Sequence, residues 1–347
     1  MFRKRSALLL LLALVACAAP TPTGPRALTV MTHDSFAISE SALAAFETAN
    51  NVKVQFLKSG DSGAALNKAI LAKGNPLADV FYGVDNTFLS RALDEGVFEP
   101  YNTPAIAKIP AAYQLDATHG ALPVDYGDVC INYDKQWFSA KGLTPPASFD
   151  DLNKPDYKDL LVVENPASSS PGLAFLLATI AHYGPEGYLE FWAALKANGV
   201  AVVNDWETAY YTEFSGSSGQ GPRPLVVSYA SSPPAEVIFA DPPITEAPTA
   251  SLIGAGMCFR QIEFVGILKG APQRDLAEKW VDFMLSQAFQ EDLPMQMFVF
   301  PVLPGARLPE AFTRWAPAPE APATLNPADI APNREQWTQQ WAEVVLK

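Results

Sequence analysis

Basic residues are scarce: 24 lysines and arginines stand against 37 aspartates and glutamates in 347 residues, a formal net charge of −13. A surface of that sign repels phosphate, which makes nucleic acid and anionic membrane faces poor partners and mildly favours a cationic small molecule. Histidine and cysteine are scarcer, three of each, and they form no cluster with metal-ligand spacing. There is no P-loop, no basic-aromatic nucleic-acid surface and no internal repeat. Long apolar runs are missing as well, apart from Ala7 to Ala16, which is too short to span a bilayer stably. What is left, 49% apolar and 18% charged, suits a soluble globular chain of about two domains.

Residues 1–17 read as a signal rather than as fold: Arg3, Lys4 and Arg5 precede the apolar run. The run ends in Leu14-Val15-Ala16-Cys17, which resembles a bacterial lipobox. That resemblance implies cleavage before Cys17 and a lipid on its sulfur; the alternative is a plain signal peptide cut near Ala18 or Ala19. Residues 18–26, rich in proline and threonine, have the composition of a stiff tether. With Cys17 lipidated, Cys130 and Cys258 remain. Export permits a disulfide between them, and a pair of buried thiols is the alternative.

The fold opens with three strand–loop–helix units. Leu28 to Thr32, Val52 to Leu57 and Ala78 to Tyr82 read as strands. Helices follow, one capped by Ser39 and bearing Leu43 and Phe46, one bearing Leu66 and Ile70, one bearing Phe88, Leu89 and Ala92. This is an α/β signature, and in such sheets ligands sit beyond the carboxyl ends of the strands. Asp34, Gly60-Asp61-Ser62 and Asp85-Asn86 therefore share one rim. Asp85-Asn86 also reads as a simple helix cap.

Leu122 to Lys135 reads as a long strand with Val129, Ile131 and Tyr133 alternating against Asp128, Cys130 and Asn132. Asp125-Tyr126-Gly127 precedes it as a candidate bend, and Asp125 as a hinge residue. Met257 to Leu268 has similar character. The two read as crossings between lobes: 27–124 as the first part of lobe 1, 125–260 as lobe 2, and 261–347 as the return to lobe 1 plus a C-terminal helix. The second lobe carries its own rim, with Ser168 to Ser170, Trp206 and Tyr210 on a helix capped by Asp205, and Tyr229 and Ser232 after a strand. Ser215 to Pro224 reads as a mobile surface loop. Arg307 to Pro332 reads as irregular. Trp337, Trp341, Val344 and Val345 lie at helical spacing and predict packing.

The wording of these segments is similar to that of the thiamine-binding periplasmic proteins, the substrate-binding components of bacterial ABC importers. Thr29-Val30-x-Thr32-x-Asp34-Ser35-Phe36 carries the likeness, with Ala78-Asp79-Val80 and Gly83-x-Asp85-Asn86. So do Asp125-Tyr126-Gly127 with Tyr133-Asp134-Lys135, Ser170-Pro171-Gly172-Leu173, Trp206-x-x-Ala209-Tyr210 and Ser228-Tyr229-x-x-Ser232-Pro233. Phe289-Gln290 and Pro301-Val302 complete it, so that it covers nearly all of the chain after residue 27. The resemblance implies a type II periplasmic-binding-protein fold, α/β and two-lobed, with the ligand cleft between lobes joined by two crossing strands. It implies a binding protein, with no catalytic residue, no metal and no cofactor. The ligand it implies is thiamine or its phosphate esters, the partners an ABC permease and ATPase, and the place outside the cytoplasm, held to the membrane through the lipid on Cys17.

Thiamine carries a thiazolium cation, a flat aminopyrimidine and a hydroxyethyl tail. A cation between lobes wants aromatic faces and a carboxylate. Trp206, Tyr210, Tyr229 and Phe298 are the candidate faces. Asp34, Asp61, Asp85 and Asp125 are the candidate carboxylates, and Ser35, Gly60, Ser62, Asn86 and Ser232 complete the expected site. The chain departs from its relatives in having His33 where tyrosine is frequent, Ala235 at a position that can be tyrosine, and Phe298 at one that can be tryptophan. Fewer faces leave a thiamine phosphate or a precursor pyrimidine open as ligand.

Two rival readings follow from other words. Tyr210-Tyr211 is a tandem tyrosine pair of the kind used by ferric-iron-binding proteins of the same fold. Gly60-Asp61-Ser62-Gly63, with His33 upstream, has the look of a serine-hydrolase nucleophile loop, though it opens a helix in an α/β unit. A helix N-terminus offering amides to a polar ligand group accounts for it better.

Overall fold

A computed structural model of the chain describes residues 24–216, 220–319, 321–325 and 327–347, without the side chains of 327 and 328. The signal segment, Cys17, most of the tether and part of the Ser215 to Pro224 loop lie outside these residues. In chain order the first elements are β1 (Arg26–Thr32), α1 (Glu40–Asn50), β2 (Val52–Lys58), α2 (Ser62–Leu71), β3 (Val80–Asp85), α3 (Leu89–Asp94) and β4 (Phe98–Glu99). Then come β5 (Leu122–Asp134), α4 (Lys135–Lys141), β6 (Leu161–Glu164), α5 (Ser170–Ala197), β7 (Ala201–Val203), β8 (Leu225–Tyr229), α6 (Pro233–Ile238) and β9 (Thr249–Leu252). The chain closes with β10 (Phe259–Leu268), α7 (Arg274–Met284), α8 (Gln287–Gln296), β11 (Phe300–Pro301), α9 (Glu310–Trp315) and α10 (Pro327–Val345).

One mixed sheet runs through both lobes in the order β2-β1-β3-β10-β5-β8-β6-β7. β5 and β10 are the crossings. The first half of β5 pairs antiparallel with β10, and its second half pairs with β8 and β9. β10 lies on β3 along its other edge. The alternation in β5 does not separate a wet face from a dry one. Asp128 and Asn132 are as buried as Val129 and Ile131, because helices and loops cover both faces. Arg260 donates Nε and Nη2 to the two carboxylate oxygens of Asp128 at 3.0 and 2.9 Å, which offsets the cost of burying that charge. Cys130 is bonded to Cys258, the residue just before β10, with Cα atoms 4.4 Å apart.

Local signals act where they were expected in the first lobe. Ser39 caps α1, its Oγ accepting from the Ala42 amide, and Asp61 caps α2. β3, however, starts and ends later than Ala78 to Tyr82, since antiparallel pairing with β10 holds the backbone extended as far as Asp85 opposite Glu263. Gly83 thus lies in a strand, at φ 110°, and a Cβ there would come within 2.5 Å of the His33 ring.

α7 packs its buried Trp280 on Phe46 of α1, edge to face at 4.8 Å, in the first lobe. α10 instead lies on α5 of the second lobe, Trp341 meeting Trp192 at 5.5 Å. Each fully buried indole contributes roughly 3 kcal/mol of apolar burial, so these contacts anchor the helices that carry them. The 307–332 stretch is not wholly irregular: α9 forms within it and α10 starts there. Phe312 of α9 is buried against Phe298 and Phe300, and Ile330 of α10 is buried in the main core. This apolar packing overrides the helix-breaking composition.

Candidate functional site

The two lobes flank a cleft with about 660 Å3 of empty space, its open mouth included. The loops after β1 and β2 supply His33, Ser35, Asp61 and Ser62 from one side. The second lobe supplies Ser170 and Pro171 from the start of α5, Trp206, Tyr210 and Tyr211 after β7, and Tyr229, Ser232 and Ala235 after β8. Glu263 of β10 and Met297, Phe298 and Val299 complete the wall. The lobes touch across it. The Trp206 amide donates to Asp61 Oδ2 at 3.2 Å, and the Ser35 hydroxyl lies 3.3 Å from Glu207 Oε1. The Gly63 and Ala64 amides both donate to the Ser168 carbonyl, at 3.1 and 3.3 Å.

Asp61 is where local chemistry and closure meet. As cap of α2 its Oδ1 accepts from the Ser62 amide at 2.7 Å, while Oδ2 reaches the second lobe. Loss of solvent pushes its carboxyl up to about 6, against hydrogen bonds that pull the other way. It is thus a desolvated carboxylate that a cation would recharge.

The aromatic wall rests on the segment after β7. Asp205 caps it, Oδ1 accepting from the Thr208 amide at 2.7 Å. The turn that follows, Thr208–Glu213, is a π-helix rather than an α-helix. Trp206 stacks on Tyr210 at 5.0 Å and 20°, and its Nε1 donates to Ser228 Oγ at 2.9 Å. Tyr229 stands at 64° to Trp206, 6.4 Å away, and donates its hydroxyl to Gln261 Oε1 at 3.0 Å. Its ring lies against Gly127 of β5, where a Cβ would come within 2.8 Å of Tyr229 Cδ1. Gly127 is required by that ring; it lies inside a strand and makes no bend. Phe298, at φ 55°, enters from the first-lobe side, its carbonyl accepting from the buried Ser231 hydroxyl at 2.6 Å.

At the back of the cleft Tyr82 Oη lies 2.6 Å from Asp125 Oδ2 and 3.1 Å from Glu263 Oε2. Burial pushes Asp125 up to about 7, and burial together with Asp125 raises Glu263 well above the carboxylate range. His33, its Nε2 3.5 Å from Glu263 Oε1, is driven by burial down to about 4 and is neutral.

Of the residues expected at the site, Ser35, Asp61, Ser62, Trp206, Tyr210, Tyr229, Ser232 and Phe298 line the cleft. Gly60, Asp85, Asn86 and Asp125 do not, and Asp34 lines a small adjoining pocket with Asp205, Trp206 and Glu207. Asp34 and Gly60 bind each other, the Gly60 amide donating to Asp34 Oδ1 at 2.8 Å, and this pins the β1 and β2 loops together. Asp85 is fully buried and accepts from the Thr87 hydroxyl and amide, the Phe88 amide and the Ser170 hydroxyl; it fixes the turn between β3 and α3 and does not cap the helix, whose N-cap is Phe88 with no side-chain cap bond. Asn86 is spent on β10, donating to the Arg260 carbonyl at 3.1 Å and accepting from the Ile262 amide at 2.9 Å. Asp125 lies behind Glu263, which takes the place facing the cleft. Ser170, named on the second-lobe rim, lines the cleft, and so do His33, Pro171, Tyr211, Glu263, Met297 and Val299, which the sequence does not single out as ligand contacts. Tyr211 lay beside Tyr210, whereas nothing local distinguishes Glu263 from the rest of its strand.

The rival chemistries find little support in this geometry. A neutral imidazole held at about 4 is a poor base for Ser62 near neutrality. The Tyr210 phenol donates to Glu236 Oε1 at 2.8 Å, and burial pushes both Tyr210 and Tyr211 above the ordinary phenol range, which disfavours the phenolates ferric iron needs. Among the described residues no group of three or more histidines, cysteines or carboxylates is placed to hold a metal. No helix among them is long and apolar enough to cross a membrane.

A family model of bacterial extracellular solute-binding proteins matches residues 75–330. A thiamine-binding periplasmic protein of Salmonella typhimurium is 31% identical over 339 residues, 96% of this chain and 98% of the relative. A solved periplasmic thiamin binding protein superposes with a TM-score of 0.81 at 27% identity, covering 93% of this chain and 99% of that one. Iron-bound HitA from Pseudomonas aeruginosa superposes with a TM-score of 0.75 at 19% identity over 92% and 99%, a likeness of fold alone.

Proposed function

The chain belongs to the bacterial extracellular solute-binding proteins, and from that premise we propose that its cleft captures thiamine outside the cytoplasm and delivers it to an ABC permease and its ATPase. The observation that carries the ligand is the pairing of Trp206 and Tyr229 with Asp61 in a cleft whose described lining includes no lysine or arginine. Aromatic faces and a desolvated carboxylate favour a flat cation. A ligand touching Asp61 from one lobe and Trp206 from the other stabilises the closed form over the open one, and that difference is what a permease can read. Lipid attachment at Cys17 would keep the loaded protein at the membrane.

Calorimetry on ligand-stripped protein with thiamine, its monophosphate and spermidine tests the reading. Thiamine is expected to bind and spermidine, having no ring, to bind more weakly. Trp206→Ala should lose on the order of 1–2 kcal/mol, roughly ten- to thirty-fold in affinity. No thiamine binding by the stripped wild type, or equal binding by Trp206→Ala, defeats the assignment.

A further inference from the structure

Tyr211 is 51% exposed, yet it lines the cleft. Its neighbours on the same turn are core: Ala209, Tyr210 and Phe214 pack with Val162 and Val226, a cluster to which Tyr211 does not belong. Packing therefore does not explain its position. Its ring stands at 78° to Trp206, 5.5 Å away, and at 86° to Tyr210, also 5.5 Å away. With Tyr229 at 64°, Trp206 has two rings rising steeply from its plane and Tyr210 stacked on it.

The backbone explains how three ring-bearing residues of one turn reach one place. In an α-helix, residue 211 would point about 140° away from residue 206. The turn is instead a π-helix, closed by the Phe214 amide donating to the Ala209 carbonyl at 3.0 Å. The π turn begins two residues after Trp206, and its wider winding reduces the rotation between successive residues; Tyr210 and Tyr211 both meet Trp206.

We propose that Tyr211 is a ligand contact and a specificity determinant, the outer wall of an aromatic enclosure that selects a planar cation, and that the π turn is the device that places it there. This rests on the thiamine reading of the cleft. It assigns Tyr211 a π-face role.

Calorimetry with thiamine on ligand-stripped wild type, Tyr211→Phe, Tyr211→Leu and Trp206→Ala tests it, alongside thermal unfolding of each ligand-free protein. Tyr211→Phe, which keeps the face, is expected within about twofold of wild type. Tyr211→Leu, which keeps apolar bulk without a π face, is expected to bind about threefold to tenfold more weakly, with ligand-free unfolding unchanged. Wild-type affinity in Tyr211→Leu beside a weakened Trp206→Ala overturns this inference alone. Equal loss in Tyr211→Phe and Tyr211→Leu assigns the effect to the hydroxyl and overturns it too. A loss matched by lower ligand-free stability overturns it as a structural effect. No binding by wild type overturns the thiamine reading and this inference together.

Discussion

Asp61 concentrates the chemistry of the site in one side chain. It caps α2, holds the Trp206 amide of the opposite lobe and faces the cleft with its carboxyl raised to about 6. A cation binds the ionised form better, so binding should release a proton near that pH. Thiamine affinity is expected to rise between pH 5 and pH 7 and to level off above, by at most about tenfold per unit. Asp61→Asn should bind more weakly and lose most of that slope in calorimetry across the range. A slope as steep as wild type's in the variant would place the titration on Glu263 or Asp125 instead. The sign for stability is opposite. The folded protein keeps the Asp61 proton to a higher pH than the unfolded chain does, so the ligand-free protein loses stability as pH rises from the ordinary aspartate range to about 6.

Among the elements, β5 and β10 set the relation between the lobes. Their pairing brings Glu263 opposite Asp125, and the Cys130–Cys258 bond closes a separation of 128 residues between them. A cross-link over so long a loop restricts the unfolded chain strongly. Removing it, by Cys130→Ala with Cys258→Ala, is expected to lower unfolding free energy by about 2–5 kcal/mol in denaturant titration. A titration midpoint identical to wild type's would show that the bond does not support the fold. The element least visible in advance was the turn at Thr208–Glu213. Asp205, Trp206, Tyr210 and Phe214 spell an ordinary capped helix, and the extra residue of a π turn leaves no signature in such a short stretch. Tyr210 and Phe214 pack with Val162 of β6 and Val226 of β8.

For the molecule as a whole, the cleft is bridged by contacts that belong to neither lobe alone, and the proposed delivery to a permease would be favoured by holding the protein near a membrane. If Leu14-Val15-Ala16-Cys17 directs acylation, cell fractionation should find the intact protein with membranes and Cys17→Ala in the soluble fraction. One acyl chain binds marginally and several bind durably, so the difference should survive washing. Intact protein as soluble as the variant would refute the anchor.

The chain by itself determined the α/β character, the caps at Ser39 and Asp61, the existence of two crossing strands and the rim words that placed Trp206 and Tyr229. All of these are written in periodicity, capping chemistry and short motifs, which act over a few residues. Which of four aspartates faces the cleft was decided only by the tertiary structure. Asp34, Asp61 and Asp85 each end or follow a strand, and Asp125 lies within β5; as residues in the sequence they look alike. Closure turns Asp61 toward the second lobe. Pairing with β10 carries Asp85 into the interior, the β2 loop takes up Asp34, and Glu263 is set between Asp125 and the cleft. A carboxylate's environment is made by segments distant along the chain, 26 residues away for Asp34 with Gly60 and 145 for Asp61 with Trp206, and no local pattern encodes it.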